Sequence, residues 1–169
     1  MSQVDKMVKW CLNKAKKELE KGESHRGLVK IEPDIEEAKR HLEKAEHNFK
    51  AISAFEKIGF SDWSISAVFY TIYHCFSAIA SKFGYESRNQ ICTVALMQSL
   101  NEEKKIDIDD DIIQALQTME QYKKKEGTVI ELRENFQYGT DMSVEGKTLS
   151  ELRQLCQRAV EETKRVIYT

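Results

Sequence analysis

The scarcity of turn-forming residues limits the possible folds more than any other feature of the sequence. The 169-residue chain contains one proline and seven glycines. A sandwich or barrel of short strands needs a turn about every 8–12 residues, and such turns are built mainly from Gly, Pro and Asn. An all-β fold is therefore nearly excluded. A parallel α/β fold is also disfavoured, because no short β-branched run lies between turn signals.

Apolar residues instead recur at helical spacing along most of the chain. The pattern predicts helices over about residues 3–21, 34–58, 61–83, 89–101, 109–125, 128–138 and 148–167. Asp34, Ser61 or Asp62, and Thr128 are the expected N-caps. Residues 22–33 are expected to form a loop. The sequence therefore predicts an all-α fold, an up-and-down helical bundle of four to five core helices with an extra N-terminal helix.

The segment from Trp63 to Phe83 differs from the other predicted helices because it is apolar almost all round. Its serines, Thr71 and His74 make it too polar for a membrane span. A helix that is apolar on most faces must be covered by protein. We expect this helix to be the centre of the bundle, or to lie between the bundle and a second subunit.

The four cysteines, Cys11, Cys75, Cys92 and Cys156, stand singly, without the spacing typical of a metal site. They are interpreted as reduced core thiols of a cytoplasmic protein. No metal or other cofactor is predicted. The formal net charge of −2 excludes attraction of the whole molecule to nucleic acid but leaves room for a local basic patch.

His74 is the first side chain with candidate chemistry. It lies inside the apolar helix, one turn after Tyr70. One interpretation is a core or interface histidine whose ring nitrogens both have partners. The other is a titratable group that lines a cleft with Tyr70 and Tyr73.

The predicted helix over 128–138 is the second candidate. Leu132 and Phe136 are expected to face the core, which turns Arg133 away from the buried line. Arg133, Glu134 and Tyr138 are then either ordinary surface residues or the rim of a groove. The sequence contains no nucleophile motif, P-loop or dinucleotide-binding fingerprint.

Two segments together resemble a known family. The run from Ala67 to Ala78 resembles the Ala-x-x-Tyr-x-x-Tyr-His-x-x-x-Ala helix of HEPN-domain proteins, in particular the small stand-alone archaeal and bacterial group. Residues 84–87 are similar to the loop that follows that helix, and residues 132–139 to the region of the family's Arg-x(4–6)-His motif. The resemblance implies a commonly dimeric bundle, with residues 1–22 as an N-terminal helical extension and residues 34–169 as the HEPN-like bundle.

The resemblance also implies function. Many members of the family are metal-independent ribonucleases, often toxins paired with a nucleotidyltransferase-like antitoxin, and others bind nucleotides, RNA or proteins without catalysis. In this sequence Tyr138 stands where the motif histidine is expected, and Glu134 where Asn, Asp or His is usual. A phenol with a pKa near 10 accepts protons poorly at neutral pH, whereas Arg133 retains paired donors for a phosphate.

The resemblance therefore favours a dimeric module, without a membrane association, that binds nucleotide, RNA or a protein partner. Its groove is expected near Arg133 and Tyr138, with Glu134, His74 and Tyr70 as further candidates. One alternative is a metal-independent, toxin-type endoribonuclease, paired with a nucleotidyltransferase-like antitoxin, that uses Arg133 with Tyr138 or His74. Another is a helical oligomerisation scaffold without a ligand site.

Overall fold

The computed structural model describes residues 1–117 and 128–169. These residues form seven helices and two short strands, and the prediction of an all-α bundle is confirmed. In chain order the elements are α1 (Gln3–Glu20), β1 (Leu28–Lys30), α2 (Ile35–Lys57), α3 (Ser61–Lys82), β2 (Tyr85–Ser87), α4 (Gln90–Glu102), α5 (Asp110–Gln114), α6 (Val129–Tyr138) and α7 (Gly146–Ile167). In the described part of the chain, no helix combines the length and the apolar character that crossing a bilayer requires.

Two of the three predicted N-caps are correct. The side chains of Asp34 and Thr128 each accept a hydrogen bond from the backbone N–H three residues later, at 2.9 and 3.4 Å. The third prediction is wrong, because Phe60 occupies the N-cap of α3 without a side-chain hydrogen bond. Ser61 Oγ instead accepts the backbone N–H of Val144, at 2.9 Å. This bond ties the segment before α7 to the start of α3.

Two helix boundaries differ from the prediction. The helix expected over residues 109–125 is seen as the short α5, and residues 118–127 lie outside the described part of the chain. The last helix begins at Gly146, two residues before Thr148.

Helix α3 is the centre of the bundle, as its composition predicts. Most of its side chains are buried, and it packs against α2, α4, α6 and α7. Trp63 and Tyr70 are nevertheless 56% and 42% exposed. These two residues are seven apart and share one face of the helix. One aromatic face of the most apolar helix is therefore left open.

The two strands were expected to be loops. They pair antiparallel, with Val29 opposite Glu86. Runs of three residues are too short to show the alternating pattern that identifies a strand. Gly84 turns the chain from α3 into β2 with φ +81°, and a Cβ there would lie 2.8 Å from the carbonyl oxygen of Ile31.

The interpretation of all four cysteines as reduced thiols is wrong for two of them. Cys11 of α1 and Cys92 of α4 form a disulfide across 81 residues of sequence, and both are fully buried. Each cysteine lies on the apolar face of its own helix. The sequence pattern of one helix does not show which other helix packs against that face. Cys75 and Cys156 are buried free thiols, as expected.

Candidate functional site

Arg133 lies against the central helix. Its guanidinium carbon is 4.1 Å from the centroid of the buried Phe69 ring, a cation–π arrangement. Its Nε is buried and has no hydrogen-bond partner among the described residues. A buried donor without a partner costs about 1–3 kcal/mol. Arg133 is thus held in place by Phe69 with one buried donor unsatisfied.

The rotation of α6 explains this position. The fully buried residues of the helix are Val129 and Ile130, whereas Leu132 and Phe136 are only partly buried. Arg133 follows Val129 by four residues and Ile130 by three, so it lies on the same side of the helix as both. Leu132 and Phe136 pack against the core as expected, but the expectation that Arg133 is turned away from the buried line is wrong.

Phe69 belongs to an aromatic cluster on α3, which we define as Phe69, Tyr70, Tyr73 and His74. The ring of Phe69 meets Tyr70 edge to face at 4.9 Å between centroids and stacks with Tyr73 at 6.1 Å. Tyr73 in turn meets His74 edge to face at 5.4 Å. Arg133, Tyr70 and His74, all predicted as site residues, therefore contact one aromatic cluster or belong to it.

His74 has a partner that the sequence did not indicate. Its Nδ1 lies 3.0 Å from Nδ1 of His41 on α2, and the two rings are stacked with centroids 5.3 Å apart. Burial lowers the pKa of His74 to about 4, with further contributions from His41 and Lys44. Burial also lowers the pKa of His41, although the carboxylate of Glu37 opposes that shift. Both imidazoles are therefore neutral at pH 7.

The other two predicted site residues lie outside this cluster. Glu134 is exposed, and Tyr138 is 80% exposed at the C-terminal end of α6. The structure thus brings three of the five candidates together at the aromatic cluster, while Glu134 and Tyr138 face solvent.

A cavity of about 250 Å³ adjoins the cluster. His41 and Tyr73 line it together with the polar residues around β2. Among these, Glu86 interacts with the buried His25 at 2.8 Å and with Arg88 at 2.9 Å. A larger cavity, of about 700 Å³, is lined by residues of α5, α6 and α7, but none of the predicted site residues lines it.

The site contains no obvious set of metal ligands. In residues 1–117 and 128–169, no three side chains of His, Cys, Asp or Glu gather in a way that could hold a metal ion. No protein-family model matches the sequence, and no curated protein was found to match it. The arrangement of Arg133 and the aromatic cluster is therefore the basis for inferring function.

Proposed function

We propose that this protein is a HEPN-like helical binding module that holds RNA in a groove beside Arg133 and the aromatic cluster, with Tyr138 at the rim. The position of the Arg133 guanidinium, 4.1 Å from the centroid of the Phe69 ring, carries the proposal. A guanidinium held against an aromatic ring loses little freedom when its remaining donors bind a phosphate. A free nucleotide or an acidic protein segment offers related chemistry.

The tyrosines beside Arg133 favour RNA among these ligands. Tyr70 is partly exposed and contacts Phe69, the ring on which Arg133 packs. Unpaired bases stack on such rings, and each stacked base contributes about 1–3 kcal/mol. Single-stranded RNA combines unpaired bases with phosphates, so it matches both features.

Binding of a labelled single-stranded RNA, followed by fluorescence anisotropy, tests the proposal. We expect Arg133→Ala to weaken binding by about 10- to 100-fold, the loss of one charge-assisted contact. Arg133→Lys should restore little of it, because lysine keeps the charge but lacks the planar fork. Arg165→Ala is the matched control, since it removes an exposed arginine of α7. Equal losses in the Arg133 and Arg165 variants would contradict the proposal.

The proposal includes a homodimer and leaves a place for a nucleotidyltransferase-like protein partner. The open face of α3 supports the dimer, because Trp63 and Tyr70 provide both apolar area and polar tips, a combination favoured at interfaces. Co-purification of the tagged protein with its neighbouring gene product tests the second partner.

A cytoplasmic location is also part of the proposal. The disulfide between Cys11 and Cys92 then requires either that the pair is reduced in cells or that the cell is a hyperthermophile, in which intracellular disulfides occur. Alkylation of intact cells before lysis distinguishes a reduced from an oxidised pair.

One observation favours a second candidate, a metal-independent endoribonuclease. His74 belongs to the aromatic cluster that Arg133 contacts, so an imidazole that is neutral at pH 7 and a phosphate-binding group lie on neighbouring elements. Cleavage of RNA in the presence of a chelator, abolished by both Arg133→Ala and His74→Ala, would establish this activity. Tyr138→His, which restores the family's imidazole, is expected to raise it. A protein that neither binds nor cleaves RNA would correspond to the scaffold alternative.

A further inference from the structure

The hydrogen bond between His41 and His74 contains one proton. Two imidazole nitrogens 3.0 Å apart can bond only if one carries a hydrogen and the other has a lone pair. Because both rings are neutral at pH 7, each carries one proton in total. The position of that proton on one ring therefore determines its position on the other.

Glu37 favours one order of the protons. Its Oε1 lies 3.5 Å from Nε2 of His41, on the side of the ring away from His74. A carboxylate there favours the tautomer of His41 that is protonated on Nε2. Nδ1 of His41 then accepts the proton on Nδ1 of His74. Arg40 holds the second oxygen of Glu37 at 2.6 Å, which fixes the carboxylate.

The lone pair of His74 is consequently on Nε2. This atom makes no hydrogen bond to any described residue. It is nevertheless not a buried atom without a partner, because in the described residues only Arg133 Nε is one. Nε2 of His74 is therefore in contact with solvent rather than sealed in the core. The charged groups around the pair are Glu37, Arg40 and Lys44, all on α2, and the α3 neighbour of His74 is the ring of Tyr73.

We propose that Glu37 and His41 position His74 so that its Nε2 accepts a hydrogen bond from a ribose 2′-hydroxyl of bound RNA. This inference rests on the proposed function. The 2′-hydroxyl is the donor that distinguishes RNA from DNA at a binding site. Tyr70 lies one turn before His74 on the same side of α3, so a base stacked on its ring brings a ribose toward the imidazole.

The first experiment compares binding of RNA with binding of the same sequence carrying 2′-fluoro groups, which cannot donate a hydrogen bond. We expect the wild-type protein to prefer RNA by about 5- to 10-fold. His74→Phe keeps a ring but removes the acceptor, and should bind both oligonucleotides equally. Arg133→Ala is the control, because it should weaken both without changing their ratio.

The second experiment tests the positioning role of Glu37 and His41. Nitrogen NMR of the histidine rings at pH 7 should show His74 protonated on Nδ1 and bare on Nε2. In His41→Phe, His74 should become a mixture of tautomers, and the preference for RNA should fall toward that of His74→Phe. A purely structural role for His41 would lower stability without changing either readout.

The outcomes separate the two proposals. Equal binding of RNA and 2′-fluoro RNA by the wild-type protein, or a proton on Nε2 of His74 in the metal-free and ligand-free protein, would overturn the role of His74 alone. If the protein binds neither oligonucleotide, the proposed function fails, and the role of His74 in recognition fails with it.

Discussion

Arg133 and His74 owe their properties to side chains on other helices. Phe69 of α3 fixes the guanidinium of Arg133, and Nδ1 of His41 on α2 lies 3.0 Å from Nδ1 of His74. Each contact joins a residue that the sequence identifies to one that it does not. The chemistry of the site therefore depends on how α2 and α6 are rotated against α3.

The His41–His74 pair should make the protein sensitive to acid. The pKa of His74 is about 4 in the folded protein and near 6.5 in the unfolded chain. The unfolded chain thus binds more protons between these values, so the stabilisation is complete above pH 6.5 and is lost as the pH falls toward 4. We expect a loss of about 1–2 kcal/mol, smaller than full burial would give because the ring keeps solvent contact.

Urea denaturation at pH 7.5 and 4.5 measures this loss. His74→Phe should lose about 1 kcal/mol less stability than the wild type over that range. Both proteins contain the same carboxylates, so subtracting one pH-dependent change in free energy of unfolding from the other cancels the contribution of those groups. Identical pH dependence in the two proteins would contradict the assignment.

Part of the site follows from sequence, and part requires packing. Tyr70 and His74 are recognisable because polar groups stand out within the apolar α3, and Arg133 because the segment around it resembles a family motif. His41 is not, because it lies on α2 beside the buried Leu42, and only the rotation of that helix decides whether it faces solvent or His74. The orientation of Arg133 depends in the same way on the rotation of α6, which places the guanidinium against Phe69.

At the scale of elements, the helices follow from periodicity and caps, whereas their cross-connections do not. The strands are too short for a pattern, and the disulfide joins two stripes that are 81 residues apart. Both features hold α1 and β1 onto the α3–α4 region.

Removing the disulfide should destabilise the protein substantially. Closing a loop of this length is worth about 4.5 kcal/mol in the chain-entropy model. Measured losses are usually smaller, so we expect the Cys11→Ala/Cys92→Ala protein to lose about 2–4 kcal/mol in free energy of unfolding. A reductant should lower the melting temperature of the wild type and leave that of the double variant unchanged. Four reactive thiols in the unfolded, unreduced wild type would contradict the disulfide, which predicts two.

The turn between α3 and β2 should tolerate only glycine. An alanine at Gly84 would have to adopt the unfavourable positive φ of the glycine. Its Cβ would also lie 2.8 Å from the Ile31 carbonyl oxygen. Gly59 has a similar φ of +86° with no atom within 4 Å of its added Cβ. We expect Gly59→Ala to cost about 1 kcal/mol and Gly84→Ala about 1–2 kcal/mol more, because only the latter disturbs the sheet. Thermal unfolding of both variants measures the difference. Equal losses of stability would show that β1 and β2 accommodate the added Cβ without a loss of free energy.

At the scale of the whole molecule, α3 of the proposed dimer contributes both to the core of its own subunit and to the interface with the second subunit. Trp63→Glu places a charge on the open face and should convert a dimer to a monomer near the chain mass of 19.6 kDa, as measured by sedimentation. Trp10→Glu is the matched control, since Trp10 is 53% exposed on α1. A wild-type monomer at micromolar concentration, or dissociation by both variants, would contradict this assignment of the interface.

The disulfide also divides the molecule mechanically. Cys11 and Cys92 close a covalent ring that contains α2, α3 and both strands, whereas α5, α6 and α7 lie outside it. If the oxidised molecule is pulled from its two ends, force passes through the sulfur–sulfur bond and bypasses the ring. About 80 residues, which would span roughly 270 Å if fully extended, are then not stretched by the applied force. Arg133 would be drawn away with α6, while the aromatic cluster and both histidines would bear no tension.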